Sequence, residues 1–243
     1  MTKSIKQLLS ERYTTKLWQN TPVNESILNY VLDCAYLTPS KMAHHSHRIV
    51  AITDSAEGKK IKDWLFYEHT WAWDGHPAYD IPVGHQSDED RDYNGQYRAP
   101  VVLIWLSELK NARRITVQKE VDGKIQQYNV STPDAYQQRS DIYISATAAM
   151  LAAEEQGLRT GYGVCHHNKM VAEHLGMPSY CAVVAMGMGY AADDLAAECG
   201  GFSVPVLNDQ GERLGFCVAN TPPGAPHWNR DDKPTQPQMI KVI

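Results

Sequence analysis

Arg12-Tyr13-Thr14-Thr15-Lys16 sets two cations around three hydroxyl-bearing residues. Arginine offers a planar fork for a bidentate pair with phosphate, lysine adds a point charge, and the Thr14 hydroxyl can donate. The segment therefore suits an anion such as phosphate, and by composition it would equally make a solvated polar turn. A second basic group, Trp228-Asn229-Arg230-Asp231-Asp232-Lys233-Pro234, is a charged tail by itself. Paired with the first, it could supply more positive charge for the same phosphate.

Two further segments carry reactive side chains. Thr38-Pro39-Ser40-Lys41-Met42-Ala43-His44-His45-Ser46-His47-Arg48 reads as a helix stop followed by a polar loop. Its histidines invite a metal, yet His44, His45 and His47 have no carboxylate or cysteine at a suitable local spacing, so a surface loop is the simpler reading. Gly157-Leu158-Arg159-Thr160-Gly161-Tyr162-Gly163-Val164-Cys165-His166-His167 combines glycines, which let a backbone approach a flat ligand closely, with a cysteine next to a histidine. Adjacent residues of a strand point to opposite faces, which argues against a Cys165–His166 nucleophile pair. The two GxG runs at Gly161 and Gly187 lack the third glycine and the helix of a dinucleotide-binding turn.

The elements that must position these groups follow from periodicity. A short amphipathic helix carries Ile5, Leu8 and Leu9. Asn24 caps a second helix whose apolar positions Ile27, Leu28, Val31, Leu32, Ala35 and Tyr36 form one face, and Pro39 ends it. A strand over 48–53, a helix over 55–65 and a buried strand over 101–106 come next. Residues 67–98 form a long polar and aromatic connection with Trp71, Trp73, Tyr79, Tyr93 and Tyr97. Residues 115–130 read as an inserted hairpin turning at Asp122-Gly123. Thr132-Pro133 opens the longest helix, closed by Gly157, and its small-residue interior around Ser145-Ala146-Thr147-Ala148-Ala149 implies a close neighbour. Strands over 158–164 and 181–188 flank a short helix over 168–175 closed by Gly176. From Gly200 onward the prolines predict an arm over a surface rather than a core segment. Strands alternate with helices, which gives an α/β or α+β class.

A length of 243 residues fits one domain with insertions. The net charge of -5 gives no general attraction to nucleic acid. No run approaches the roughly 18 apolar residues that span a bilayer, and no apolar stretch follows the N-terminus, so neither a membrane anchor nor a signal peptide is expected. The five cysteines have no CxxC spacing and an odd count, which predicts free thiols and a cytoplasmic location.

In this order, the pieces resemble the nitroreductase-like flavoproteins over roughly residues 5–55 and 98–190. Arg12, Tyr13, Thr14 and Lys16 match the segment that grips the phosphate and ribityl chain of FMN in that family. Pro39 and Ser40 match the segment that reaches the flavin of the partner subunit, and the resemblance implies Lys41 and Ala43 as further cofactor-binding candidates there. Ala43 stands where relatives carry Asn, and His45-Ser46-His47 replaces their Gln-Pro-Trp. Val164 and Cys165 fall where the family's backbone meets the flavin ring near N5, and Arg230 and Lys233 are the candidates for its C-terminal phosphate contact.

The resemblance implies an α+β nitroreductase-like fold, with a central mixed sheet flanked by helices and an intertwined homodimer. The whole chain would be one such domain, with insertions near 67–98 and 107–132 and an extended arm from about 200. It implies FMN as cofactor and NAD(P)H as hydride donor. An electron-poor small molecule such as a nitroaromatic or quinone would be reduced in a ping-pong cycle. A flavin carries its own redox chemistry, consistent with the lack of any evident triad or carboxylate pair. The divergence at Ala43 to His47 keeps open an oxidase, a dehalogenase or a flavin-degrading enzyme of the same fold. The ten histidines leave a non-enzymatic metal-binding or carrier protein as the reading of another class.

Overall fold

Strand β2 (Val101–Glu108) is apolar at each position from Val101 to Leu106, the pattern of a strand covered on both faces. The computed structural model describes residues 3–40, 47–68, 94–108, 114–121, 124–131, 135–164, 168–192, 203–207 and 210–218. In it, alternate β2 residues serve two cores. Val102, Ile104 and Leu106 pack in one cluster with Leu65 and Phe66 of α3 (Ala56–Glu68) and with Val171 and Ala172 of α5 (Asn168–His174). Val101, Leu103 and Trp105 pack in the other, with Val31 and Ala35 of α2 (Glu25–Tyr36) and with Ile142, Ala146, Ala149 and Ala153 of α4 (Ala135–Glu155). Each large apolar side chain removed from water here contributes about 1.5–3 kcal/mol.

The sheet runs β1 (His47–Ile52), β2, β6 (Tyr180–Gly189), β5 (Arg159–Val164), and every neighbouring pair is antiparallel. An isolated parallel bridge between Thr14 and Thr160 lies at the β5 edge, outside the four antiparallel strands. The small residues of α4 are explained by what packs on them. Ser145 Oγ donates to the Ala35 carbonyl at 3.0 Å and accepts from Trp105 Nε1 at 3.0 Å, tying α2, α4 and β2 at one buried point.

Local signals act at the helix ends, as expected for Asn24, Gly157 and Gly176. Ser4 Oγ accepts from the Gln7 N–H ahead of α1 (Ile5–Glu11), and Asn24 Oδ1 accepts from the Ser26 N–H ahead of α2. Gly157 (φ 79°) and Gly176 (φ 72°) take the left-handed conformation just past α4 and α5, where a side chain would be strained. The hairpin β3 (Arg114–Val121) and β4 (Lys124–Ser131) pairs Val121 with Lys124. Asp122-Gly123 and Thr132-Pro133 lie outside the described residues.

Two expectations change. Tyr97, placed by sequence in a polar connection, is 1% exposed and follows Asn94 in a 3-10 turn, Gly95–Arg98, that packs into the core. Hydroxyl and ring together allow tyrosine either place, and tertiary packing decides. The stretch read as an arm holds an antiparallel hairpin, β7 (Ser203–Leu207) with β8 (Arg213–Val218), joined through Gly211 at φ 81°. Pro205 stands within β7, and a proline is tolerated on an edge strand, so proline content does not exclude pairing here. No helix among the described residues is long and apolar enough to cross a membrane.

Candidate functional site

The segment Arg12 to Lys16 leaves α1 in extended conformation, with Arg12 at φ -69° and ψ 147°. Successive side chains of an extended chain point to opposite sides. Accordingly Tyr13, Thr15 and Leu17 are buried, while Thr14 is exposed and Arg12 and Lys16 are partly exposed. Arg12, Thr14 and Lys16 therefore alternate with the inward residues, with Thr14 exposed, Lys16 partly so, and Arg12 partly so although its Nε is buried. Two cations and a hydroxyl at alternate positions form a donor set for an anion, and the inward residues fix the strip to the sheet.

The fixing is specific. The Thr15 N–H donates to the Thr160 carbonyl at 3.0 Å. Farther along, Gln19 N–H donates to Tyr190 O at 2.8 Å and Ala192 N–H to Leu17 O at 3.0 Å. Trp18 Nε1 donates to Gly95 O at 2.9 Å, which joins the strip to the 3-10 turn. That turn in turn reaches β5, because Gln96 Nε2 donates to the Tyr162 carbonyl at 2.8 Å.

The glycines of β5 do a different job from the one expected. A Cβ on Gly161 would stand 2.0 Å from Thr15 O and 3.0 Å from Gln96 Cγ, and one on Gly163 would stand 2.9 Å from Asn94 Nδ2. These positions are glycine because protein lies against them: the strip at Gly161 and the 3-10 turn at Gly163. The close approach inferred from sequence is present, and the approaching backbone is the chain's own.

Tyr162 ties the site to the helical layer. Its hydroxyl donates to the Ala146 carbonyl of α4. Burial pushes this hydroxyl well above the ordinary tyrosine range, while the Thr147 hydroxyl and the Arg12 cation act in the opposite sense. It stays protonated as a donor.

Glu154 and Arg159 also belong to this junction, and sequence reasoning missed them. Glu154 is buried and accepts from Arg159 Nη1 at 2.9 Å and from Thr160 Oγ1 at 3.0 Å. The Arg159 guanidinium lies 5.0 Å from the Tyr13 ring centroid. A signal was available: a carboxylate in the last turn of a helix opposes the macrodipole and calls for a cationic partner nearby.

The structure thus joins Arg12, Tyr13, Thr14 and Lys16 to the strand that ends at Val164, which pairs with Val184. Pro39 and Ser40 follow the C-terminal end of α2, itself linked to β5 through consecutive α4 residues: Ser145 bonds Ala35 O, and Ala146 O receives Tyr162. Lys41, Ala43, Cys165, Arg230 and Lys233 lie outside the described residues, as do His44 and His45.

Several solved structures share this fold. A nitroreductase family protein from Clostridium difficile is 18% identical, with a TM-score of 0.52 over 78% of this chain and 86% of that one. A nitroreductase with bound FMN from Bacteroides fragilis is 14% identical, with a TM-score of 0.54 over 79% of this chain and 90% of that one. An FMN-dependent nitroreductase, also from Clostridium difficile, is 16% identical, with a TM-score of 0.51 over 76% of this chain and 86% of that one. Among curated proteins no relative matches. Residues 9–190, which run from the end of α1 through the strip, β5 and β6, match the family model for nitroreductases, and on that match the chain belongs to the nitroreductase family.

Proposed function

We propose that this protein is an FMN-dependent oxidoreductase, and that the outward face of Arg12, Thr14 and Lys16 holds the FMN phosphate. The observation that carries the reading is the alternation of the strip, with Tyr13 and Thr15 buried, Thr14 exposed and Arg12 and Lys16 partly so. The donor set fits the group. A guanidinium can bond two phosphate oxygens at once, an ammonium adds charge, and a threonine hydroxyl donates to a third oxygen. Family membership and the FMN named for two neighbours of the same fold support the choice of flavin over another phosphate ester.

Bound FMN supplies the redox chemistry, passing the electrons of a nicotinamide hydride to an acceptor. The residues of this chain bind and orient it. Arg12 and Lys16 neutralise the phosphate, and Thr14 donates to it. The Thr15–Thr160 bond and the Gln96–Tyr162 bond hold the strip and β5 in fixed relation, so the donors are organised before the ligand arrives. Val164 and Cys165 would present backbone to the ring. NAD(P)H is the proposed donor and a nitroaromatic or quinone the proposed acceptor, in a ping-pong cycle.

The working unit is proposed to be a homodimer. Tyr36 and Leu37 at the end of α2 are 72% and 77% exposed, and Tyr143 and Ile144 of α4 are 51% and 45% exposed. Large apolar groups on two helices packed against each other suit a second copy of the chain. Light scattering on the eluting protein, giving twice the chain mass, checks this.

The visible spectrum tests the main reading. Flavin absorbance in the purified protein, or its appearance bound after FMN is added, is expected, together with NADH or NADPH oxidation that accelerates when a nitro acceptor is present. Protein that carries no flavin and takes none up would overturn it.

A further inference from the structure

We propose that Glu154 is a positioning residue for the anion-binding strip, acting through Arg159 and Thr160 to set the affinity for the phosphate end of the ligand. The ligand part rests on the reading that the strip holds a flavin phosphate. Glu154 sits in the last turn of α4 with its side chain 2% exposed. Nothing in helix formation favours a carboxylate there, since the C-terminal end of a helix carries partial negative charge. A buried carboxylate also loses its hydration and needs partners.

It has two, and they are consecutive residues of β5. Arg159 Nη1 donates to one carboxylate oxygen at 2.9 Å and Thr160 Oγ1 to the other at 3.0 Å. Each of these two residues then holds one inward residue of the strip. The Arg159 guanidinium stands over the Tyr13 ring with its carbon 5.0 Å from the centroid. The Thr160 carbonyl accepts from the Thr15 N–H at 3.0 Å. One carboxylate therefore anchors two of the attachment points of the strip, those at Tyr13 and Thr15, and Arg12, Thr14 and Lys16 are the residues on either side of them.

The arrangement predicts how removal acts. Without Glu154, the Arg159 side chain, 31% exposed, is drawn to solvent and away from Tyr13. The Thr160 hydroxyl is left buried without its acceptor. The strip then loosens where the phosphate donors are carried, while the contacts of β5 with β6 remain.

The test compares wild type with Glu154→Ala and with Glu154→Gln, which keeps the volume and one acceptor oxygen. Flavin fluorescence gives the affinities for FMN and for riboflavin, which lacks the phosphate, and hydrogen exchange of the Thr15 amide is followed in the ligand-free protein. Glu154→Ala is expected to weaken FMN binding about tenfold or more, as for one charge-assisted hydrogen bond, with riboflavin affinity nearly unchanged and Thr15 exchanging faster. Glu154→Gln should fall between the two. A wild-type ratio of FMN to riboflavin affinity in both variants overturns the inference, and so does unchanged protection at Thr15. Wild-type protein that binds neither flavin overturns the flavin reading and the ligand part of this one, while Thr15 exchange still decides whether Glu154 holds the strip.

Discussion

The Thr15 carbonyl stands where a side chain on Gly161 would be, 2.0 Å from the position of its Cβ. Gly161→Ala must therefore push the strip off β5, because the obstacle is backbone and has no rotamer in which to retreat. A destabilisation of about 1–3 kcal/mol, the usual range for overpacking, is expected in thermal or urea unfolding. Gly163→Ala meets the Asn94 Nδ2 atom at 2.9 Å, the far end of a side chain, and should cost less. Equal costs for the two would count against the close approach of strip and strand.

The alternation of the strip separates its outward and inward residues by experiment. Arg12→Ala and Lys16→Ala should each weaken FMN binding by about tenfold or more, the loss of one hydrogen bond or ion pair to a charged group, and spare riboflavin. Thr15→Val should leave FMN affinity unchanged. It should also raise the melting temperature, because Thr15 Oγ1 is buried without a hydrogen-bond partner and valine has nearly the same shape. Weaker FMN binding by Thr15→Val would show that its hydroxyl faces the ligand.

Lys62 is 5% exposed, and its Nζ donates to Asp54, to Ala99 O at 2.9 Å and to Pro100 O at 3.3 Å. It holds the end of the 3-10 turn that packs on β5. Asp54→Ala leaves this ammonium buried with carbonyls alone, and should cost about 3 kcal/mol, the lower end for breaking a buried pair since Asp54 is partly exposed. Adding Lys62→Met should restore part of that loss. Strictly additive single and double mutants in urea unfolding would contradict the pairing.

Tyr30 of α2 donates its hydroxyl to Glu155 of α4 at 2.6 Å. That hydrogen bond chiefly, and burial after it, raises the hydroxyl from its ordinary 10.0 to about 12. An acid raised in the folded state gives stability that is complete below pH 10, declines above it and is gone past about 12. Wild type should therefore lose stability over this window more steeply than Tyr30→Phe, which has no proton to lose there. Parallel stability curves for the two proteins from pH 9 to 12 would argue against the contact.

Much of the scaffold was legible in the sequence because its causes are local. Asn24 announces a helix start, Gly157 and Gly176 announce stops, and the run Val101 to Leu106 announces a buried strand. Tyr97 was illegible because a tyrosine in a polar stretch suits surface or core equally. The β7–β8 hairpin was hidden by the prolines around it.

For the proposed site, sequence alone offered the candidate donor types, Arg12, Thr14 and Lys16, and the glycine-bearing strand that accompanies them, since residue type and spacing limit what a segment can bind. Which of those residues face outward, and that Gly161 receives the strip itself, was decided only by tertiary structure. Glu154 makes the same point. It is 142 positions from Arg12 in the chain, and its part in the site exists only because α4 returns the chain to the start of β5, bringing Arg159 and Thr160 against the strip. Chemistry is carried by residue identity, whereas proximity between distant segments is created by packing.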